Sequence, residues 1–177
     1  DGSVTIVDLS GGVMNATATN AGFTAFNDQA DALKAAGVRI FGPDATVAQD
    51  VEPEYIAITP DSKTAWICLQ ENNALAELDI ESATVRRILP FGFKDHSQPG
   101  NGMDARNRDD KIDIRPRPVL GMYLPDAIAA CHDGGDVDVG GNHDERRDAT
   151  RRDRRKRASV RRDDGGERAD ESDRIPA

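Results

Sequence analysis

Short apolar runs separated by polar turns recur along the first half of the chain, a pattern of β-strands rather than of long helices. "SVTIVDLS" is rich in β-branched residues and predicts a strand, with Val4, Ile6 and Asp8 on one face and Thr5, Val7 and Leu9 on the other. Apolar side chains on both faces predict burial on both sides. Gly11 and Gly12 end the run, and a Gly/Asn/Thr-rich connection follows. In "FNDQADALKAAGVRIFGP", Asn27 or Asp28 is placed to cap a short helix through Ala36, and Gly37 supplies its left-handed stop. "VRIF" then predicts a strand that Gly42 and Pro43 break.

The most regular stretch is "PEYIAITPDSKTAWICLQENNALAELDI", residues 53–80. It predicts three strands, "EYIAIT", "TAWICLQ" and "ALAELDI", joined by "PDSK" and "ENN" turns. Ala65, Ile67 and Leu69 alternate with Trp66 and Cys68, so the second strand is apolar on both faces. "TVRRILP" is a fourth strand, and Arg86 and Arg87 suit it to a solvent edge. Four antiparallel strands graded from buried to edge, within about 40 residues, describe one propeller blade, although a sandwich gives similar local patterns. The expected fold is all-β: an incomplete β-propeller of about one complete four-stranded blade plus parts of two others, with one short helix.

Composition divides the chain. Of 177 residues, 31% are charged and only 5% aromatic, with a formal net charge of -9. From Cys131 onward there is no aromatic residue, and the large aliphatics are Val137, Val139, Val160 and Ile175 alone. Such a segment cannot bury enough apolar surface to offset backbone ordering of roughly 1–2 kcal/mol per residue. The expected domains are therefore residues 1–130, the foldable body, and residues 131–177, a disordered Arg/Asp-rich tail. The body is acidic, which disfavours nucleic acid and suits cations or plain solubility.

Two cysteines make no disulfide framework, and Cys68, inside an apolar run, is expected to be a small core hydrophobe. No apolar segment reaches the roughly 18 residues that a membrane span needs. The chain begins "DGSVTIVDLS" with neither an initiator Met nor a signal peptide, which reads as an internal piece of a longer protein.

Particular words carry a resemblance beyond this patterning. "TPDSKTAW" resembles the "PDGKT" turn and following strand of bacterial surface propellers of the YVTN type, with Ser62 where Gly is usual. The strings "GVRIFGPDATVAQDVEPEYIAITPDSKTAWICLQENNALAELDI", "GFKDHSQPGNGMDARNRDDKIDI" and "PVLGMYLPDAIAA", in that order, resemble the choice-of-anchor I family. That resemblance implies an exported, propeller-like bacterial protein tethered at the cell surface, related to animal mesenchyme-specific cell-surface glycoproteins. Some members carry an alkaline phosphatase or phytase-like label. It brings no established catalytic residue set. Arg117 stands where the family has Trp, Asp110 where it has Gly, and Leu124 where it has Gln. Beyond Ala130 the likeness stops. The sudden rise in Arg, Asp and Gly there fits an out-of-frame reading of a GC-rich gene as well as a genuine low-complexity tail.

Four constellations are candidates for chemistry. The turns carry Glu52, Glu54, Glu71, Asn72, Asn73, Asp95, His96 and Asp126. Oxygen donors of this kind suit Ca²⁺ or another divalent cation, with Glu71, Asp95 and His96 as metal ligands and Glu52, Glu54, Asn72, Asn73 and Asp126 lining a ligand site. The alternative is that the two Asn accept left-handed turn geometry while the acids are solvated. "DARNRDDKIDI", residues 104–114, has the flavour of a Ca²⁺ loop, but Arg106 and Arg108 occupy liganding positions, so a loop held by Arg to Asp pairs is expected instead. Cys131, His132 and His143 fall short of the four ligands of a zinc site. The basic run from Arg146 to Arg162 could associate non-specifically with nucleic acid, but it lacks aromatic stacking platforms. No GxSxG, P-loop or HExxH is present.

The function expected is that of a binding or scaffold domain in an exported surface propeller, with the remaining blades and an unknown surface ligand as partners. The alternatives are part of a metal-dependent phosphohydrolase, in which a cation activates water, and nucleic-acid association through the tail. With too few blades to close a ring, the chain by itself is expected to be marginal and aggregation-prone.

Overall fold

The computed structural model describes residues 1–106, 108–133 and 136–142, with side chains described as far as residue 130. Strand β1 (Ser3–Asp8) pairs antiparallel with β2 (Thr17–Gly22), with Ser3 opposite Gly22 and Asp8 opposite Thr17. The Gly/Asn/Thr-rich connection thus contributes a strand that its composition concealed. Burial along β1 is one-sided: Val4 is buried and Ile6 half-buried, whereas Val7 and Leu9 are exposed. The expectation of burial on both faces fails because, among the described residues, no second layer covers the outer face.

A 3-10 segment, Thr24–Gln29, leads into α1 (Ala30–Ala36). Gly37, at φ 106, stops the helix as expected, and its N–H bonds back to the carbonyls of Leu33 and Lys34. Neither Asn27 nor Asp28 caps it. The N-cap is Gln29, and Asn27 instead accepts the backbone N–H of Ala48 at 3.0 Å. "VRIF" is not a strand: residues 38–41 run in irregular conformation, held by bonds to the turn at 71–73 rather than by a ladder. A second single-turn helix, α2 (Val47–Asp50), opens with a capping box between Thr46 and Gln49.

The predicted four-stranded unit is present. β3 (Pro53–Ile58), β4 (Thr64–Leu69), β5 (Ala74–Asp79) and β6 (Thr84–Pro90) form one antiparallel sheet in sequence order. Every residue of β4 is buried. Ala65, Ile67 and Leu69, with Ala74, Ala76 and Leu78 of β5, pack on Val4, Phe23, Leu33, Val47 and Val51 of the preceding elements. Full burial of a Leu, Ile or Phe side chain contributes about 1.5–3 kcal/mol, so this face supplies most of the cohesion. Trp66 and Leu75 point to the opposite face, where Leu89, Phe91 and Ile128 pack against them.

β6 forms one edge, as its two arginines suggest. A register shift opposite Glu77 and Leu78 lets Val85 and Ile88 share the core face although they are three residues apart. β3 forms the other edge, and Tyr55, Ile56 and Ile58 on it are exposed. The expected grading from a buried first strand to an exposed fourth is therefore corrected: burial peaks in the middle pair, β4 and β5.

Beyond the sheet, β7 (Phe93–Asp95) pairs with β8 (Leu120–Met122). The intervening segment is a loop closed by a bridge between Met103 and Arg115. Asp113 forms ion pairs with Arg115 at 3.1 Å and Arg117 at 3.0 Å, so Arg to Asp pairing does hold this region. β9 (Ala127–Asp133) and β10 (Asp136–Asn142) form an antiparallel hairpin that crosses the boundary drawn at residue 130.

Candidate functional site

Of the polar groups singled out from the turns, Asn72 and Asn73 are buried in the "ENN" turn between β4 and β5 and are used internally, whereas Glu52, Glu54 and Asp126 are exposed and Asp95 and His96 lie at a separate turn where β7 ends. Asn72 is fully buried. Its Nδ2 donates to the carbonyls of Arg39 at 2.9 Å and Asp50 at 3.1 Å and to the Asp50 carboxylate at 3.1 Å, and its Oδ1 accepts from Glu52 N at 3.0 Å. Asn73, also fully buried, adopts φ 52, the left-handed geometry that Asn tolerates. Its Nδ2 donates to the carbonyls of Gly92 at 2.9 Å and Gly37 at 3.3 Å, while Oδ1 accepts from Tyr123 N at 3.0 Å. Both amide oxygens thus already hold a backbone N–H, and the two side chains join five separate segments of chain.

Asp50 and Arg39 belong to this network and were missed in the sequence. The Asp50 carboxylate accepts the N–H groups of Phe41 and Gly42. A Cβ at Gly42 would stand 2.8 Å from Asp50 Oδ1, so only glycine lets the chain approach so closely. Arg39 lies over the Phe41 ring at 3.6 Å and donates to the Glu71 carbonyl at 3.1 Å. The Thr46 to Gln49 capping box in "TVAQD" was the available signal that the chain turns here and presents Asp50 inward.

The proposed metal ligands are spread apart in role. Glu71 is half-exposed and paired with Arg39 at 4.0 Å. Asp95 accepts Ser97 Oγ at 2.7 Å, Gln98 Nε2 at 2.8 Å and Ser97 N at 2.9 Å. These bonds, the Ser97 hydroxyl foremost, hold its carboxyl below the usual range. His96 follows directly, but its Nδ1 bonds to the carbonyl of Asn101 at 2.7 Å. Among the described residues, no group of three or more His, Cys, Asp or Glu side chains is arranged to hold a metal ion. Cys131, His132, His143 and the basic run lie outside the described side chains.

Glu54 and Asp126 are exposed, and both bear on Cys68. The thiol is fully buried and donates to the Pro125 carbonyl at 3.0 Å, while Gln70 Nε2 donates to Asp126 at 2.8 Å. Burial first, then the negative charges of Glu54 and Asp126, push the Cys68 pKa up to about 12. That environment suppresses the thiolate and fits the core role expected of this residue.

A second buried carboxylate, Glu77, is 3% exposed in the middle of β5. It is neutralised by Arg87, which meets it directly, and by Arg86 at 3.8 Å. The register shift on β6 brings both arginines to one acid. The Trp66 indole N–H, on the same face, is buried with no hydrogen-bond partner among the described residues.

Three of the four departures from the resembled pattern fall at positive φ: Ser62 at 59, Asp110 at 55 and Leu124 at 39. Ser62 and Asp110 stand where glycine is expected, and glycine takes that geometry at no steric cost. The fourth, Arg117, has a buried Nε without a partner among the described residues. Each departure leaves a small local cost, whereas the core and the Asn72–Asp50 network are intact.

Together these features define a mostly antiparallel β domain whose polar clusters brace turns against one another. A family model described as Choice-of-anchor I domain matches residues 1–165, and the chain belongs to that family of cell-surface-associated domains. The match continues past Ala130, where the likeness in the quoted strings ends. No curated protein matches the chain. Among solved structures, Kuenenia stuttgartiensis Hydrazine Synthase is similar at 19% identity and a TM-score of 0.31, over 55% of this chain and 19% of that one. Among the described residues, no helix is long and apolar enough to cross a membrane.

Proposed function

We propose that this chain is part of an exported, cell-surface β-propeller that works as a binding or scaffold domain, with its ring completed by the remaining blades of the full-length protein. One observation carries the reading: the aliphatic surface left open between β1 and β3. Val4, Ile6 and Val7 on one side and Ile56, Ile58 and Ile80 on the other line an open groove of about 360 Å³. Val7, Ile56 and Ile58 are each close to half exposed. A contiguous aliphatic groove of this kind is surface suited to contact with another element. The acids and amides of the turns serve as braces in this reading, which favours a scaffold over a phosphohydrolase.

The test is co-expression of residues 1–177 with the remainder of the full-length protein. Co-purification is expected for the native chain and loss of it for the Ile56→Lys, Ile58→Lys pair. Recovery unaffected by the two lysines would overturn the reading. A phosphatase assay of the full-length protein with and without Ca²⁺ separates the scaffold from the hydrolase, whose activity would depend on the cation.

A further inference from the structure

The segment leaving β7 folds into a strap that closes on itself. Asn101 donates its Nδ2 to the Asp95 carbonyl at 3.0 Å and its backbone N–H to the Gln98 carbonyl at 3.1 Å. Its own carbonyl oxygen lies 2.7 Å from His96 Nδ1. A carbonyl oxygen only accepts, so this bond requires the proton of His96 to sit on Nδ1. The carbonyl concerned belongs to the peptide that joins Asn101 to Gly102. Gly102 is required on packing grounds, since a Cβ there would stand 2.9 Å from the Arg115 carbonyl carbon. Among the described residues, the Gly102 N–H makes no hydrogen bond.

We propose that Asn101–Gly102 is a site of spontaneous deamidation and that His96 accelerates it. The Gly102 N–H loses its proton to hydroxide, and the electron pair of that nitrogen attacks Asn101 Cγ. The new C–N bond closes a five-membered succinimide, the Cγ–Nδ2 bond breaks, and ammonia leaves with a proton taken from water. Water then opens the ring at either carbonyl, giving aspartate or isoaspartate. The charge of the deprotonated peptide resides largely on the Asn101 carbonyl oxygen, where the His96 donor already points. A donor fixed where charge develops lowers the barrier to reaching it. Glycine adds the second advantage, because no side chain shields its nitrogen from Cγ. The other asparagines of the sequence precede Ala16, Ala21, Asp28, Asn73, Ala74, Arg108 and His143, and none precedes glycine.

Conversion undoes the strap. The Nδ2 donor to Asp95 is replaced by a carboxylate facing a carbonyl oxygen. Isoaspartate also adds a methylene to the main chain and displaces the carbonyl that His96 holds. β7 and β8 are only three residues each, so the closure between them is weakened permanently.

The test is incubation of the purified full-length protein at neutral pH, with peptide mass mapping and enzymatic detection of isoaspartate. Asn101 is expected to convert first, and about ten times faster in the folded chain than in the same chain held unfolded in urea, the ratio that one charge-assisted hydrogen bond gives. His96→Phe is expected to bring the folded rate down to the unfolded one. A folded rate no higher than the unfolded rate would overturn the proposal, and that comparison uses only the native sequence, so it stands even where the variant does not fold.

Discussion

Asn72 donates to both the main-chain carbonyl and the carboxylate of Asp50, each at 3.1 Å, in a site from which water is excluded. This pair fastens α2 to the turn between β4 and β5. Replacing Asn72 by Ala leaves the N–H of Glu52 and the carbonyl of Arg39 without their partner, on top of the two acceptors on Asp50. Unsatisfied buried groups cost about 1–3 kcal/mol each, partly relieved by relaxation, so Asn72→Ala is expected to lose about 3 kcal/mol. Urea denaturation followed by Trp66 fluorescence measures it, and a loss under about 1 kcal/mol would show that the network is dispensable.

Glycine at two of the departures should recover stability. Ser62→Gly and Asp110→Gly each place the residue type suited to positive φ where a side chain now stands. The expected gain is about 0.5–1 kcal/mol apiece, smaller for Asp110 because Asp tolerates this geometry better than Ser. Thermal melts of the single variants decide it, and no rise in the midpoint for Ser62→Gly would contradict the account.

How far could this have been read from the chain? The sheet was legible because β3 to β6 are short, largely apolar runs separated by turn residues with fixed geometry, down to the left-handed Asn73. α1 was legible through Gly37. What escaped was β2, whose "TATNAG" has little apolar content and becomes a strand only by pairing with β1. "VRIF" looked like a strand for the opposite reason: its β-branched residues are apolar enough, but its backbone is claimed by Asn72. For the candidate site, the residue types could be read from the sequence but their bonding partners could not. A polar residue in a turn looks the same in sequence whether it faces solvent or grips a carbonyl 50 residues away.

Acid should expose the role of Asp95. Its pKa lies below the ordinary 3.8 because Ser97 and Gln98 hydrogen-bond the charged form. Above 3.8 the carboxylate is ionised in both states and its bonds count in full. As the pH falls, the unfolded chain takes up the proton first, and the advantage is lost down to the folded pKa. The stability difference between the native chain and Asp95→Asn is therefore expected to be largest near neutrality and to shrink in acid. Melts across pH 2 to 7 check it, and a difference independent of pH would contradict the assignment.

Cys68 should report on opening of the core. With its pKa raised to about 12 and no exposed surface, the folded chain is expected to resist alkylation at pH 8. In a Cys131→Ser background, labelling by iodoacetamide should follow the urea unfolding curve. Rapid labelling without denaturant would show that β4 is accessible in the native chain.

The Asn73 brace also bears on how the chain is made. Among the described residues, its Oδ1 accepts only the N–H of Tyr123, 50 positions downstream. While the polypeptide is still emerging from the ribosome, the hairpin of β4 and β5 can form from local pairing, yet its turn holds an unanswered acceptor until that later residue clears the exit tunnel. The nascent sheet is therefore finished in order of appearance, and a stall between these two positions exposes its most apolar strands at their least protected moment.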